Sequence, residues 1–275
     1  MTGGGPPADH KNGRRGLLVG LAGAAGLAAM RARADEPEGN APASKPRRRW
    51  GMAIDLDLCA RCGGCVVACQ VENNVAPLPA DELARHSPIR WMDFLFPQPD
   101  LPAPLGDEPA PIPCLHCEDP PCVKVCPVGA TYQTDEGITA QIWERCIGCR
   151  SCMVACPYAR RSFNWTAPRW PGNELRALNP DVAPRPAGVV EKCTLCHHRI
   201  AAALERSRVD EEPLTDEVLR TLPACAQSCP THAITFGDLN DPRSQLARLA
   251  RAPRAVRLLP EVGTRPKVFY LRSRP

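Results

Sequence analysis

The chain has 275 residues, of which 44 % are hydrophobic and 23 % are charged, so a folded core is expected and wholesale disorder is excluded. Its net charge of +4 is too small for a typical nucleic-acid-binding protein, and no nucleic-acid partner is expected. The longest apolar run, residues 16–30, is shorter than the ~20 residues of a membrane span, which excludes a multi-pass membrane protein. Cysteine is in clear excess, with 16 copies.

Residues 1–34 have the layout of an export signal. Arg14 and Arg15 precede the apolar run, and a small-residue Ala-Arg-Ala end follows it. The paired arginines predict the twin-arginine route, with a short amphipathic helix or an uncleaved anchor as the alternatives. This segment contains five basic residues and one acidic residue, so the rest of the chain has no net charge. Residues 35–48 are predicted to form a flexible tether.

The cysteines fall into four groups along the chain. The first and third groups have the spacing C-x2-C-x2-C-x3-C, the second has C-x2-C-x4-C-x3-C, and the fourth is split by 28 residues. A proline follows the last cysteine of every group except the first, where Gln70 stands. The groups are Cys59, Cys62, Cys65 and Cys69; Cys114, Cys117, Cys122 and Cys126; Cys146, Cys149, Cys152 and Cys156; and Cys193, Cys196, Cys225 and Cys229.

This spacing is typical of [4Fe–4S] cluster ligation. Three thiolates at C-x2-C-x2-C spacing can reach three irons of one cluster, and the fourth cysteine then ligates a neighbouring cluster. Disulfides are usual in shorter secreted chains, and zinc prefers two separated pairs of ligands, so both explain the repeat less well. The spacing therefore predicts an exchange of fourth cysteines between groups, but it leaves open which groups pair.

Short secondary-structure elements are predicted around these groups. Alternating apolar and polar residues predict a half-buried strand over 52–58 and a second strand over 138–142. A short strand is also predicted after each Cys-Pro, at residues 130–132, 161–163 and 233–236.

Three further segments lie outside the cysteine groups. The Pro-rich segment 71–113 either folds over the cluster domain or contacts a partner through its apolar patch at 91–96. Two helices, over 199–207 and 214–222, are predicted to cross the gap in the split group. Asp241 is predicted to cap a C-terminal helix, and residues 267–271 are predicted to form a last strand.

In these motifs the chain resembles the four-cluster iron–sulfur subunits of complex iron–sulfur molybdoenzymes, such as dimethyl sulfoxide, polysulfide and tetrathionate reductases. The resemblance covers residues 49–271 and is carried by the stretches 52–69, 114–122, 146–157 and 192–196. It implies an α+β fold of two pseudo-symmetric ferredoxin-like modules with loop-rich insertions. The implied boundaries are 49–70 with 188–240 for the first module, 71–113 for an insertion, 114–165 for the second module, 166–187 for a linking loop and 241–275 for a helix-strand extension.

The resemblance also implies which cysteines hold each of four [4Fe–4S] clusters. In this family the first and fourth groups pair, and the second and third groups pair. The implied ligands are Cys59, Cys62, Cys65 and Cys229 (set one); Cys69, Cys193, Cys196 and Cys225 (set two); Cys114, Cys117, Cys122 and Cys156 (set three); and Cys126, Cys146, Cys149 and Cys152 (set four).

The function implied by the resemblance is electron transfer without catalysis. The chain would pass electrons between a multi-helix quinone-reactive membrane subunit and a molybdopterin catalytic subunit or a cytochrome c subunit, in an exported, periplasmic, membrane-associated complex. The alternative is a free-standing periplasmic polyferredoxin. We find no nucleophile elbow, phosphate loop or dinucleotide fingerprint. His116, His197 and His198 are not expected to bind iron because the cysteine sets are complete, and Lys124 or Arg150 could favour a reduced cluster.

Overall fold

The computed structural model describes residues 48–97, 105–170 and 178–272, all of which lie in one compact unit, Pro46–Pro275. The predicted export signal and all of the predicted tether except Arg48 lie outside the described residues. No helix in the described ranges has both the length and the apolar character needed to cross a membrane.

The described residues form ten short strands and eight α-helices. Strands β1–β10 are Trp50–Asp55, Asp93–Leu95, Ala110–Ile112, Thr131–Gln133, Thr139–Gln141, Ser162–Phe163, Val190–Glu191, Ile234–Asp238, Ala255–Val256 and Val268–Leu271. Helices α1–α8 are Gly64–Glu72, Ala80–Leu83, Pro121–Lys124, Ser151–Val154, His197–Val209, Asp216–Arg220, Ala224–Gln227 and Gln245–Ala250. Two 3-10 turns occupy Trp143–Arg145 and Pro260–Val262.

A four-stranded sheet in the order β8-β1-β10-β9 is the largest sheet among the described residues. Strand β1 runs antiparallel to β8, with Met52 opposite Phe236, and parallel to β10, with Met52 opposite Val268. The pairing joins the strand before the first cysteine group to the strand after the last one. Residues 114–165 therefore lie along the chain between β1 and β8, which are adjacent strands of this sheet.

The prediction of a half-buried strand over 52–58 is wrong about how much of the strand is buried and about the residue at which it ends. Strand β1 is buried on both faces, because Ala53 packs with Leu246 of α8 on one side while Met52 and Ile54 enter the main core on the other. The alternation of apolar and acidic residues continues past the strand, but Leu58 lies in the following loop and is 49 % exposed.

Helix α8 begins later than the sequence predicts. Ser244 caps it, since the Ser244 hydroxyl accepts a hydrogen bond from the Ala247 amide at 3.0 Å. Asp241, the predicted cap, accepts instead from the Arg243 amide at 2.9 Å and forms a local turn ahead of the helix. Short polar side chains often make such turns in competition with a helix start, which is why the prediction of the cap was wrong.

The remaining strands form three two-stranded antiparallel sheets, β2–β3, β4–β5 and β6–β7. The strands predicted after the second group and before the third are confirmed, and they pair with each other as β4 and β5. The patch at 91–96 divides: Trp91 and Met92 are buried in the core, whereas Phe96 is 58 % exposed. A partner contact at Phe96 stays a prediction.

The two helices predicted inside the split group are confirmed as α5 and α6. Thr215 caps α6 by accepting a hydrogen bond from the Val218 amide. The chain then returns through α7, which packs against α1. This path places Cys225 beside cysteines that precede it by more than a hundred residues.

Candidate iron–sulfur centres

The loops that carry the cysteines share a backbone feature beyond their spacing. In each group the residue before the second cysteine has a positive φ, namely 56° at Arg61, 42° at His116, 68° at Gly148 and 56° at Leu195. Three of these four residues are not glycine, and such a conformation costs about 1–2 kcal/mol for other residues. The surrounding structure therefore holds each loop in the same turn, and the turn directs both cysteines of each Cys-x-x-Cys towards one side.

The segment after each Cys-Pro repeats in the same way. The third residue beyond the cysteine has a positive φ at Gly129, Ala159 and His232, and a strand follows each one. All four groups thus share the turn before their second cysteine, and the three groups that end in Cys-Pro also share the turn after it. The pseudo-symmetric arrangement of two modules stays a prediction.

Set one gathers around the start of α1. Burial raises the pKa of Cys65 to about 12, and the charges of Cys59, Cys229 and Cys62 add to the effect. Cys59 and Cys62 lie in the loop after β1, whereas Cys229 follows α7 and comes from the far end of the chain. Cys62 is exposed to solvent.

Set two lies in the interior. Burial raises the pKa of Cys69 well above its usual value, and the charges of Cys193, Cys225 and Cys196 raise it further. All four of these thiols are buried. Helices α1, α5 and α7 converge here, so the split group and the first group meet through tertiary structure.

Set three combines the second group with one cysteine of the third. Burial raises the pKa of Cys117 to about 12, and the charges of Cys114, Cys122 and Cys156 contribute in the same direction. Cys114 and Cys117 lie in the loop after β3, Cys122 lies in α3, and Cys156 follows α4. Three of the four are buried.

Set four lies nearer the surface. Burial raises the pKa of Cys152, Arg161 opposes this shift, and the charge of Cys146 is a further cause of the increase. Hydrogen bonds from Ser151 lower the pKa of Cys149, and the charge of Cys126 acts against them. Cys149 is exposed.

The four sets are neighbours in the order one, two, three, four. Each junction is marked by two thiols whose charges act on each other. The pairs are Cys65 with Cys225, Cys114 with Cys193, and Cys122 with Cys152. The exposed cysteines belong to the first and last sets, and the interior sets are mostly buried.

The alternatives of disulfides and zinc fit this geometry poorly. All sixteen cysteines are free, so none forms a disulfide. Within the described ranges, no three His, Cys, Asp or Glu side chains converge on one point as a single metal ion requires. A zinc site needs four donors within about 2.3 Å of one ion. A cubane offers each thiolate a different iron and so accepts wider spacing.

The surroundings of the sulfurs fit [4Fe–4S] clusters. Backbone amides donate to several of the sulfurs, among them Thr131 to Cys126 at 3.4 Å, Leu195 to Cys193 at 3.4 Å and Ala233 to Cys229 at 3.3 Å. Such donors favour thiolates over thiols and tune the potential of a bound cluster. Since coordination deprotonates a thiol, iron would compensate for the raised pKa values in these buried sets.

Asn73 is a buried donor that the sequence analysis missed. Its amide nitrogen lies 3.7 Å from the Cys69 sulfur and 3.8 Å from the Cys196 sulfur, both in set two. Arg161, also missed, lies by set three and set four. In the sequence, only the position of Arg161 is unusual, because a charged residue stands there at the start of the short strand predicted after Cys-Pro.

The three histidines lie where a ligand role is not needed. His116 is buried, its Nδ1 accepts from the Thr139 amide at 3.1 Å, and burial holds its pKa well below the usual value. His198 Nε2 lies 2.6 Å from Glu72, and His197 is exposed. Arg150 lies over the Trp165 ring at 4.8 Å, and Lys124 is exposed.

Comparison with known proteins agrees with these centres. Residues 108–171, which contain the second and third cysteine groups, match the family described as a 4Fe-4S dicluster domain. The chain is 46 % identical over 231 residues to the iron-sulfur cluster-binding subunit of menaquinone reductase from Nitratidesulfovibrio vulgaris, covering 82 % of this chain and 89 % of that one. The chain belongs to the family of iron–sulfur subunits of respiratory reductase complexes.

Two further members of this family of iron–sulfur subunits are similar over the same share of the chain. Subunit 1 of an Hdr-like menaquinol oxidoreductase from Archaeoglobus fulgidus is 39 % identical, over 82 % of this chain and 84 % of that one. The arsenate respiratory reductase subunit from Shewanella sp. is 35 % identical, over 82 % and 97 %. The family resemblance read from the motifs is confirmed, and the assignment of individual cysteines to clusters stays a prediction.

Proposed function

We propose that this chain holds four [4Fe–4S] clusters in the sets defined above and conducts electrons one at a time through an exported respiratory complex. Bound clusters supply the one-electron redox chemistry. The chain's own residues hold the sulfurs, exclude water from the interior and fix the order of the sets. We assign no residue to the making or breaking of a substrate bond.

The observation that carries this proposal is the order of the four sets from surface to surface. Cys62 in set one and Cys149 in set four are exposed, and the thiols between them are largely buried. An electron-conducting subunit needs two accessible ends, one towards a donor and one towards an acceptor. A shielded middle section prevents loss of electrons to solvent oxidants.

For the partners, we propose a multi-helix quinone-reactive membrane subunit at one end and a molybdopterin or cytochrome c subunit at the other. Two of the similar proteins are subunits named for menaquinone or menaquinol chemistry, and the third is named for arsenate respiration. The motif at residues 1–34 supports periplasmic placement by the twin-arginine route, which carries folded cargo with its cofactors already inserted.

The experiment is an anaerobic purification of the tagged full chain from gently solubilised native membranes, with iron, sulfide and molybdenum counted and partners identified by mass spectrometry. We expect about sixteen irons per chain and a multi-helix membrane subunit, together with a molybdenum or haem subunit. Recovery of the iron-loaded chain alone would instead support a free polyferredoxin. A colourless chain that contains zinc would contradict the proposal.

A further inference from the structure

Arg161 is a buried arginine without a carboxylate partner. Its side chain is in the interior, with the residue 5 % exposed, and Nη1 donates to Thr131 Oγ1 and Gln141 Oε1, both at 3.1 Å. Among the residues that the structure describes, no acidic side chain forms an ion pair with Arg161, and its charged neighbours are cysteines. Thr131 and Gln141 are neutral, so these contacts leave the positive charge uncompensated.

A second buried arginine in the same chain, in contrast, has a carboxylate that balances its charge. Arg185, 2 % exposed, forms an ion pair with the buried Glu191. It also donates to the carbonyls of Asn73 and Asn74 at 2.6 and 2.7 Å. Because a buried charge is costly unless it is paired, this arrangement is the expected one for a structural arginine. Arg161 lacks it.

The groups that face Arg161 with negative charge are cysteines of set three and set four. Burial lowers the pKa of the Arg161 guanidinium, but the charges of Cys122, Cys152 and Cys114 raise it, and the net shift is upward. Cys114 and Cys122 belong to set three, and Cys152 belongs to set four. Side-chain hydrogen bonds join Arg161 to Cys122 and to Cys152, so the guanidinium adjoins both sets at their junction.

We propose that Arg161 is the counter-charge of the clusters held by sets three and four and raises the reduction potentials of both. The inference rests on the proposed four-cluster function. Reduction adds one electron and one negative charge to a cluster, with no bond formed or broken, and the guanidinium keeps its proton throughout. A fixed positive charge in a dry site stabilises the more negative, reduced form.

The test is an anaerobic potentiometric titration of the complete complex with dithionite as reductant, followed by electron paramagnetic resonance. In Arg161→Gln, two of the four potentials are expected to fall. The ratio of reduced to oxidised cluster at a fixed potential should drop at least about tenfold, which is about 59 mV for a one-electron couple. Arg161→Lys keeps the charge and should restore most of this loss.

Arg160→Gln is the matched control, because Arg160 is the neighbouring residue and its charge is balanced by Asp93 at 3.6 Å. It should leave all four potentials near their original values. A uniform shift of all four in Arg161→Gln, equal shifts in the Gln and Lys variants, or no shift in Arg161→Gln would overturn the inference.

A second variant decides the matter if Arg161→Gln does not retain its clusters. Gln141→Glu places a carboxylate at the position that already accepts from Arg161, and it should lower the same two potentials. Unchanged potentials in Gln141→Glu would reject the inference. Iron and spin counts on the unaltered complex distinguish a failure of this inference from a failure of the proposed function. Fewer than four clusters in the unaltered complex would reject the proposed function itself.

Discussion

The first pair of sets (one and two) and the second pair (three and four) are built on the same cysteine loops but are held together differently. The first pair brings together residues from both ends of the chain, through the pairing of β1 with β8 and the packing of α1 on α7. The second pair lies within residues 114–165 and is bordered by small two-stranded sheets. Cysteines that are close in the sequence can form a pair of sets, as in the second pair. In the first pair, the large sheet brings the same kind of cysteine loop together from distant parts of the chain.

The two pairs also differ in the polar groups placed against their sulfurs. In the first pair the buried side chain that donates to sulfur is the neutral amide of Asn73, in set two, and the charge of the buried Lys192 acts on Cys193 of the same set. In the second pair the donor to sulfur is the charged guanidinium of Arg161, which lies by both sets. A charge acts over a longer range than a hydrogen bond, so Arg161 is expected to raise the potentials of both of its sets, whereas Asn73 acts on set two alone.

The largest expected effect comes from removing a ligand in the interior rather than at the surface. Cys225→Ser should lose the cluster of set two and weaken the joint between the two ends of the chain, because Cys225 lies in α7 against α1. Cys149→Ser, at the exposed end, should lose one cluster and leave three. Iron counts and thermal unfolding of the two variants measure this, and equal damage in both would show that the two pairs are not held differently.

The next effect concerns two glycines that both have positive φ. In Gly148→Ala, the new Cβ would lie 2.4 Å from the Gly188 carbonyl oxygen, so the backbone must move, at a cost of about 3 kcal/mol. In Gly63→Ala, nothing lies within 4 Å, and only the conformational cost of about 1 kcal/mol remains. Denaturant titration of the two variants should therefore rank the glycine of the second pair as the more sensitive.

A smaller effect on stability is expected from the ion pairs of Glu72 in α1 with His198 and Arg199 in α5, which join these helices in the first pair. Burial acts to raise the pKa of Glu72, but hydrogen bonds from Arg199 and His198 outweigh it and lower the pKa. Glu72→Gln should reduce the free energy of unfolding by about 2 kcal/mol at pH 7.

The pH dependence of that loss follows from the direction of the shift. A carboxyl whose pKa is lowered on folding stabilises the fold above its unfolded value, here 4.5, and the stabilisation disappears as the pH falls through the folded value. Unfolding curves of the original chain and of Glu72→Gln should thus converge in acid. A difference that persists unchanged there would show that Glu72 acts by packing alone.

The smallest effect is expected at Asn73. Asn73→Ala removes a neutral donor from two sulfurs of set two, and the loss of a hydrogen bond of about 1 kcal/mol corresponds to a potential lower by some tens of mV. The second pair should not respond. Potentiometric titration would contradict the comparison if sets three and four shifted as much as set two.

The sequence was informative wherever a local pattern determines the structure. The strands β4, β5, β8 and β10 and the helices α5 and α6 follow from apolar periodicity and from the positions of Cys-Pro, and the structure confirms them. The burial of β1 on both faces could not be predicted, because α8 covers one face from nearly two hundred residues away. The cap of α8 was missed because Asp241 and Ser244 both suit that role.

The polar surroundings of the sulfurs were the least predictable part of the candidate site. Asn73 and Arg161 are ordinary residues in sequence, and their importance arises only when tertiary packing buries them against cysteines from other segments. The ion pair between Arg185 and Glu191, six residues away, could not be predicted from the sequence either. Spacing predicts where sulfurs gather, whereas three-dimensional packing decides which charges they face.

The most direct test of the central claim is a count of iron, sulfide and electron spins on the fully reduced, anaerobically purified full chain. Four clusters held in neighbouring sets would give about sixteen irons and sulfides and about four interacting spins per chain. Close to eight irons and two spins, or spins without mutual coupling, would contradict the arrangement of four adjacent clusters.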